Sequence, residues 1–78
     1  MSDWSPETAI AMERRHVLEG GERIARQEAL VKKLMERGPP ELVQIAGQML
    51  DTLRESLELS RDRLRYLEGR YGTALGEK

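Results

Sequence analysis

The sequence predicts an all-α protein: an antiparallel two-helix hairpin, similar to a coiled coil, that dimerises into a four-helix bundle. Apolar residues recur with a seven-residue period along two long stretches, and one Gly-Pro-Pro segment separates the stretches. The chain has 78 residues, which suffices for a single domain near the lower limit of independent folding. These observations together favour two long helices that depend on a partner for part of their stability.

Helix one is predicted over residues 6–37. Ser5 is a preferred N-cap, Pro6 suits the first helical position, and Glu7 places negative charge at the positive end of the helix dipole. Gly20 and Gly21 adjoin in the middle of this helix, where glycine is unfavourable. We therefore expect either a bend or a close approach of the second helix at that point.

A turn is predicted over residues 38–40. Gly38 can adopt the left-handed conformation that ends a helix, and Pro39 prevents the helix from continuing. Helix two is then predicted over residues 41–71, and the tail 72–78, which has two glycines and little to bury, is expected to fray. Helix two has the more regular repeat, formed by Val43, Ala46, Leu50, Leu53, Leu57, Ser60, Leu64, Leu67, Tyr71 and Ala74.

The register of the hairpin follows from the two repeats. If the helices are antiparallel, residues on one level have numbers that total 77, as for Gly20 with Leu57 and Gln27 with Leu50. The midpoint then falls in the predicted turn, so the register and the turn chemistry agree. Gly20 would make room for Leu57, and the Gln27 amide would turn outward. The predicted hairpin core consists of Ile10, Val17, Ile24, Val31, Leu34, Val43, Leu50, Leu53, Leu57, Leu64 and Leu67.

A second set of apolar residues lies beside this repeat. We expect these side chains to form an interface, since one hairpin leaves them uncovered. A symmetric homodimer is the commonest way to cover such a face, and a helix from another protein is the second candidate occupant. The predicted interface residues are Leu30, Met35, Leu42, Ile45, Met49 and Leu59.

Composition argues against several classes of protein. Charged residues make up 35% and aromatic residues 4% of the chain, which is typical of long solvated helices. The net charge of -1 predicts no long-range attraction to nucleic acid or to an anionic membrane. Cysteine is absent, so neither disulfides nor cysteine-ligated metals are expected. Residues 1–7 lack the segments of a signal peptide, and no apolar run is long enough to span a membrane. We therefore expect a cytoplasmic protein.

The middle of helix one resembles a pattern found in small helical proteins of bacteria. The run from Arg15 through Gln27 reads R-H-x-x-E-G-x-x-x-I-A-x-Q, and Thr52-Leu53 resembles their second-helix T-L motif. The similarity covers about 50 residues of the 78. It departs from the pattern at Gly21, usually a polar position, and in the Gly-Pro-Pro turn. The resemblance implies a helical hairpin and no particular activity.

One group of residues in helix one has potential chemistry. Glu13 and His16 form a Glu-x-x-His motif, with Glu19 one turn further on. Bundle proteins use this motif, together with an inward-facing Glu on a neighbouring helix, to bind metal. The matching level of helix two offers Leu57, Ser60 and Leu64, so we expect no metal or other cofactor. A small four-helix-bundle metal protein or enzyme that uses Glu13, His16 and Glu19 remains the alternative.

Basic residues are numerous, but acidic residues are interleaved with them. Clusters such as Arg14-Arg15 and Lys32-Lys33 have Glu13, Glu19 or Glu28 nearby. Such spacing is typical of a solvated surface with pairs of opposite charge. We therefore expect neither nucleic acid nor a membrane as a partner. The predicted function is a structural or protein-interaction role through self-association, without enzymatic activity.

Overall fold

The computed structural model describes residues 4–72, and within this range it contains two α-helices and no strand. Helix α1 spans Pro6–Arg37 and helix α2 spans Pro40–Tyr71, each with 32 residues. The predicted all-α class is therefore confirmed. Helix α2 begins one residue earlier than predicted, so Gly38 and Pro39 alone connect the helices. The predicted frayed tail lies, apart from Gly72, outside the described residues.

The start of α1 follows from its first residues. Ser5 has extended backbone angles, and its hydroxyl accepts a hydrogen bond from the backbone N–H of Thr8 at 3.1 Å. This bond satisfies one of the N–H groups that have no partner within the first helical turn. Pro6 follows at the first helical position and Glu7 lies in the first turn. The predicted start of the helix is confirmed.

The turn differs from the prediction at Gly38. Its N–H donates to the carbonyl of Leu34 at 2.6 Å and so ends α1, but its φ of -89° and ψ of 166° are extended. The expected left-handed conformation of Gly38 is therefore wrong. The reason is Pro39, because a residue that precedes proline is restricted to extended conformations. Pro39 is extended in turn, and its carbonyl accepts from the N–H groups of Leu42 and Val43 at the start of α2.

The two helices are antiparallel and pack in the predicted register. At mid-length, a methyl group added at Gly20 would lie 3.0 Å from Cδ1 of Leu57, so Gly20 is the predicted point of close approach. At the open end of the hairpin, the rings of Trp4 and Tyr71 meet edge to face with centroids 5.8 Å apart. Apart from the backbone of α1 itself, no atom lies within 4 Å of a methyl group added at Gly21. Helix α1 runs through both glycines without interruption.

Gln27 makes a contact that differs from the prediction. Its amide donates from Nε2 to the backbone carbonyl of Ala46 at 2.9 Å, instead of turning outward. A helical carbonyl has a second lone pair available, so this bond forms without breaking the α2 ladder. The half-buried Gln27 is thereby satisfied. The bond ties the turn-proximal part of α1 directly to the α2 backbone.

The interior of the hairpin is a thin strip between the helices. Among the predicted core residues, Ile10, Leu50 and Leu57 are buried. The remaining ones are half-buried: Val17, Ile24, Val31, Leu34, Val43, Leu53, Leu64 and Leu67. Ala46, Glu13 and Ser60 are also buried, and no large side chain in the described range is covered completely. Two helices cover each other on one side only, which leaves the core open at its edges.

Candidate interaction surface

The two edges of the hairpin differ in character, and one of them is spanned by ion pairs. Arg14 Nη2 lies 2.9 Å from Glu68 Oε2, and Arg54 Nη2 lies 2.9 Å from Glu28 Oε2. We call the residues of each helix that face the other helix its core line; Glu13 and Gln27 belong to the core line of α1, and Leu53 and Leu67 to that of α2. Arg14 and Glu28 directly follow the first two residues, and Arg54 and Glu68 directly follow the second two. These pairs define what we call the ion-paired flank.

The opposite edge, the open flank, has apolar side chains exposed to solvent. On α2 they belong to a second repeat with alternating spacings of three and four residues, which is the spacing of a helix-packing seam. We call this line the second stripe: Leu42, Ile45, Met49, Thr52, Ser56, Leu59, Arg63 and Tyr66. At 100° per residue it is centred about 110° around the helix from the core line. Helix α2 thus has two apolar faces, and α1 covers only one of them.

Exposure supports the distinction between these faces. The apolar members of the second stripe predicted as interface are between 47% (Leu42) and 59% (Leu59) exposed. Ile45 and Met49, with Gln48, Thr52 and Leu53, line a shallow groove of about 280 Å³. Tyr66, which is 63% exposed, extends the stripe, although it was not among the predicted interface residues. Its position seven residues after Leu59 was the available signal.

Helix α1 contributes less apolar surface to the open flank. Leu30 precedes the core residue Val31 and lies on the open flank, where it is 45% exposed. Met35 was predicted for the same interface, but it lies seven residues after Glu28 and therefore on the ion-paired flank. The predicted interface residues consequently divide: Leu30, Leu42, Ile45, Met49 and Leu59 share a side, and Met35 does not.

Positive charge accompanies the apolar residues on the α1 half of the open flank. We call these four side chains the basic row: Arg23, Arg26, Lys33 and Arg37. All four are exposed, and none of them forms an ion pair within residues 4–72. Glu19 is the acidic residue that shares this line. The open flank is therefore apolar on α2 and basic on α1, although the chain as a whole is nearly neutral.

Negative charge lies on the outer side of α2, which faces away from α1. We call these residues the acidic row: Glu41, Asp51, Glu55, Glu58 and Asp62. Asp62 pairs with Arg65 on its own helix. The other four are exposed and have no ion pair within the described part of the chain. The second stripe thus lies between a basic row on one side and an acidic row on the other.

Glu13 is the one buried acidic residue of the described range, with 9% of its surface exposed. Its Oε1 accepts from Arg63 Nε at 3.4 Å, and its Oε2, which is buried without a hydrogen bond, lies 3.6 Å from His16 Nδ1. Arg63 is thereby drawn from the second stripe toward α1. Ser60, also buried, accepts a hydrogen bond from the same guanidinium.

Glu13 also lines a second cavity, of about 260 Å³, at the open end of the hairpin. His16, Trp4, Met12 and Leu67 also line it. Glu19, the third residue of the metal alternative, is exposed. No group of three or more His, Asp or Glu side chains suited to a metal ion occurs in residues 4–72. The nearest positive group to Glu13 is instead the Arg63 guanidinium, which would compete with a cation for the carboxylate.

Arg70 and Tyr71 complete the open end. Arg70 Nε donates a hydrogen bond of 3.2 Å to the Tyr71 hydroxyl. This bond is the main reason that the pKa of Arg70 lies above its ordinary value. The guanidinium also lies over the Tyr71 ring, 5.6 Å from its centroid. Arg70, which like every arginine is charged at neutral pH, extends the positive character of the open flank.

Comparison with known proteins gives no similarity from which to infer a role. No family model matches the chain, and neither a curated protein nor a solved structure matches it. The resemblance to the small bacterial helical proteins stays a prediction. Neither α1 nor α2 is apolar enough over a sufficient length to cross a membrane.

Proposed function

We propose that this protein is a protein-interaction module that self-associates as a homodimer, forming a four-helix bundle from two hairpins. The observation that carries the proposal is the second stripe, a regularly spaced apolar line on α2 that α1 leaves exposed. Exposed apolar faces of this size and regularity are typical of interaction sites. The proposed role is structural and cytoplasmic, and it requires neither catalysis nor a cofactor.

The surface area supports a second copy as the occupant. The chain exposes 6321 Å², whereas a compact monomer of 8.9 kDa would expose about 4,800 Å². A dimer interface of standard size buries about 800 Å² on each chain. The surface in excess of a compact monomer is therefore large enough to supply such an interface about twice over.

The test is the mass of the protein in solution, measured by sedimentation equilibrium over a wide concentration range with helicity followed in parallel. We expect a dimer that dissociates on dilution. Ile45→Asp places a charge in the middle of the second stripe, and it should shift the mass to that of one chain. Leu18→Asp is the matched control, because Leu18 is exposed on another side of α1 and should leave the dimer intact.

A stable helical monomer at every concentration would overturn the proposal of self-association. The groove beside Ile45 and Met49 would then be free for a helix of another protein, which is the second candidate occupant. The metal alternative has its own test in metal analysis of the purified protein. Bound metal in stoichiometric amount that is lost on His16→Ala would overturn the interaction role.

A further inference from the structure

We propose that the two copies are related by a twofold axis parallel to their helices, with the second stripes packed in parallel along the axis. The two turns then lie at the same end of the dimer. The basic row of each α1 lies against the acidic row of the other copy's α2. This inference rests on the proposed self-association and adds the geometry and the charge contacts that specify the partner as a second copy of this chain.

Two twofold arrangements bring the open flanks of two hairpins face to face with α2 on α2. In the first, the axis is perpendicular to the helices, so each α1 lies over the other copy's α1. In the second, the axis is parallel to the helices, so each α1 lies beside the outer side of the other copy's α2. The choice between them therefore depends on what α1 presents on its open flank.

Charge favours the second arrangement. The basic row occupies the open flank of α1, so stacking α1 on α1 would bring the basic rows of the two copies face to face. Like charges placed opposite each other in an interface are destabilising. The parallel axis instead places the basic row beside the acidic row. Neither row has partners for most of its members within the described part of one chain, so these charges are available for contacts between copies.

The levels of the charges match as well as their signs. A twofold axis parallel to the helices permits no axial shift, so α1 of one copy keeps the hairpin level relative to α2 of the other. That level is given by residue numbers that total 77, as for Gly20 and Leu57. Three pairs between copies total 77 or 78: Arg23 with Glu55, Arg26 with Asp51, and Arg37 with Glu41. Glu19 with Glu58 also totals 77 and opposes two like charges, so the register that packs one hairpin aligns three pairs of opposite charge and one pair of like charge between two.

The same pairs are out of reach within one chain. The α1 members lie on the open flank, whereas Asp51 and Glu55 lie on the side of α2 that faces away from α1. The one charged member of the second stripe, Arg63, is held by Glu13 at 3.4 Å and so turns away from the axis. The second stripe then presents Leu42, Ile45, Met49, Leu59 and Tyr66 to the identical residues of the other copy.

Disulfide trapping tests the arrangement, and the chain contains no cysteine that would interfere. Ile45→Cys and Leu59→Cys should each form a disulfide between identical positions on oxidation. An equal mixture of the two variants should form no link between positions 45 and 59. Those positions are about 21 Å apart along a helix, whereas a disulfide needs Cα atoms within about 7 Å. Sedimentation of the reduced variants is the control, and both should still be dimers.

A charge exchange provides the second measurement, at exposed positions that do not threaten the fold. Arg26→Asp and Asp51→Arg should each raise the dimer Kd about tenfold, because each creates two like-charge contacts per dimer. The double variant should recover most of the wild-type Kd. Single variants without effect would overturn the charge contacts.

The outcomes separate this inference from the proposed function. Disulfides between positions 45 and 59, with none between identical positions, would show a dimer with antiparallel α2 helices. That result would overturn the parallel arrangement and leave self-association standing. A monomer in every variant and in the wild type would overturn both proposals.

Discussion

Gly20 and Gly21 are adjacent in α1 and differ only in what they face. Gly20 lies against the Leu57 side chain, whereas nothing lies within 4 Å of a methyl group added at Gly21. Each glycine lowers helix stability by about 1 kcal/mol relative to alanine. At Gly20 this loss is offset by the close approach of α2, and at Gly21 nothing offsets it.

We therefore predict different results for the two alanine substitutions. Gly21→Ala should raise the free energy of unfolding by about 1 kcal/mol, through helix propensity alone. Gly20→Ala should be less stable than Gly21→Ala, because its methyl group would lie 3.0 Å from Leu57 Cδ1 and force that side chain to shift. Urea unfolding followed by circular dichroism measures both. Equal stability of the two variants would contradict the close approach at Gly20.

Glu13 places a carboxylate in a strip that is otherwise mostly apolar. Its partner Arg63 is 60% exposed in its side chain and 3.4 Å away, so the pair recovers only part of the cost of burying the charge. Replacing a buried charge with an apolar side chain of similar size is often stabilising, provided that no other buried charge is left without a partner. Arg63 meets this condition, because its guanidinium can return to solvent.

We predict that Glu13→Met raises the free energy of unfolding by about 1 kcal/mol, with a melting temperature higher by about 4–8 °C. Thermal unfolding measures the change. His16→Ala is the control, since His16 is exposed and its removal should change stability little. A loss of stability in Glu13→Met would contradict this prediction and show that the carboxylate stabilises the hairpin.

At the scale of the helices, α2 differs from α1 in having two apolar faces. Leu50, Leu57 and the rest of the core line face α1, while the second stripe lies about 110° further around the helix. Helix α1 has a single apolar line, with Met12 and Leu30 as its apolar contributions to the open flank. Helix α2 is therefore the central element of the proposed dimer, and each α1 covers one side of it.

A substitution on the core line should have a different effect from one on the second stripe. We predict that Leu53→Asp abolishes helicity at every concentration, because it buries a charge between the helices opposite Ile24. Leu18→Asp should keep helicity close to that of the wild type, since Leu18 is 71% exposed. Circular dichroism of both variants is sufficient. Retained helicity in Leu53→Asp would mean that the core line is not the face that joins α1 to α2.

The whole molecule is extended for its length. The radius of gyration is 17.1 Å, whereas a compact domain of this size has about 11.5 Å. Two helices of 32 residues are each about 48 Å long and bury each other along one line only. A second hairpin on the open flank would cover the second stripe with an identical stripe and so join the two thin strips through their α2 helices, which is the physical reason for expecting the dimer.

The sequence by itself determined the helices, the turn and the pairing register, because these depend on local signals: the Ser5 cap, the Gly-Pro-Pro segment and the seven-residue repeats. It also placed Gly20 against Leu57. The extended conformation of Gly38 follows from the proline after it, a local rule that outweighs the usual preference of glycine at a helix end.

Only the tertiary structure decided which residues share a side of the hairpin. Leu30 and Met35 both adjoin the core line in sequence, but the ion pairs of Glu28 and Arg14 across the helices assign Met35 to the other flank. The Gln27 amide and the Glu13 carboxylate likewise found partners on α2, at Ala46 and Arg63. Such partners are distant in sequence, so periodicity within one helix carries no information about them until the two helices are packed together.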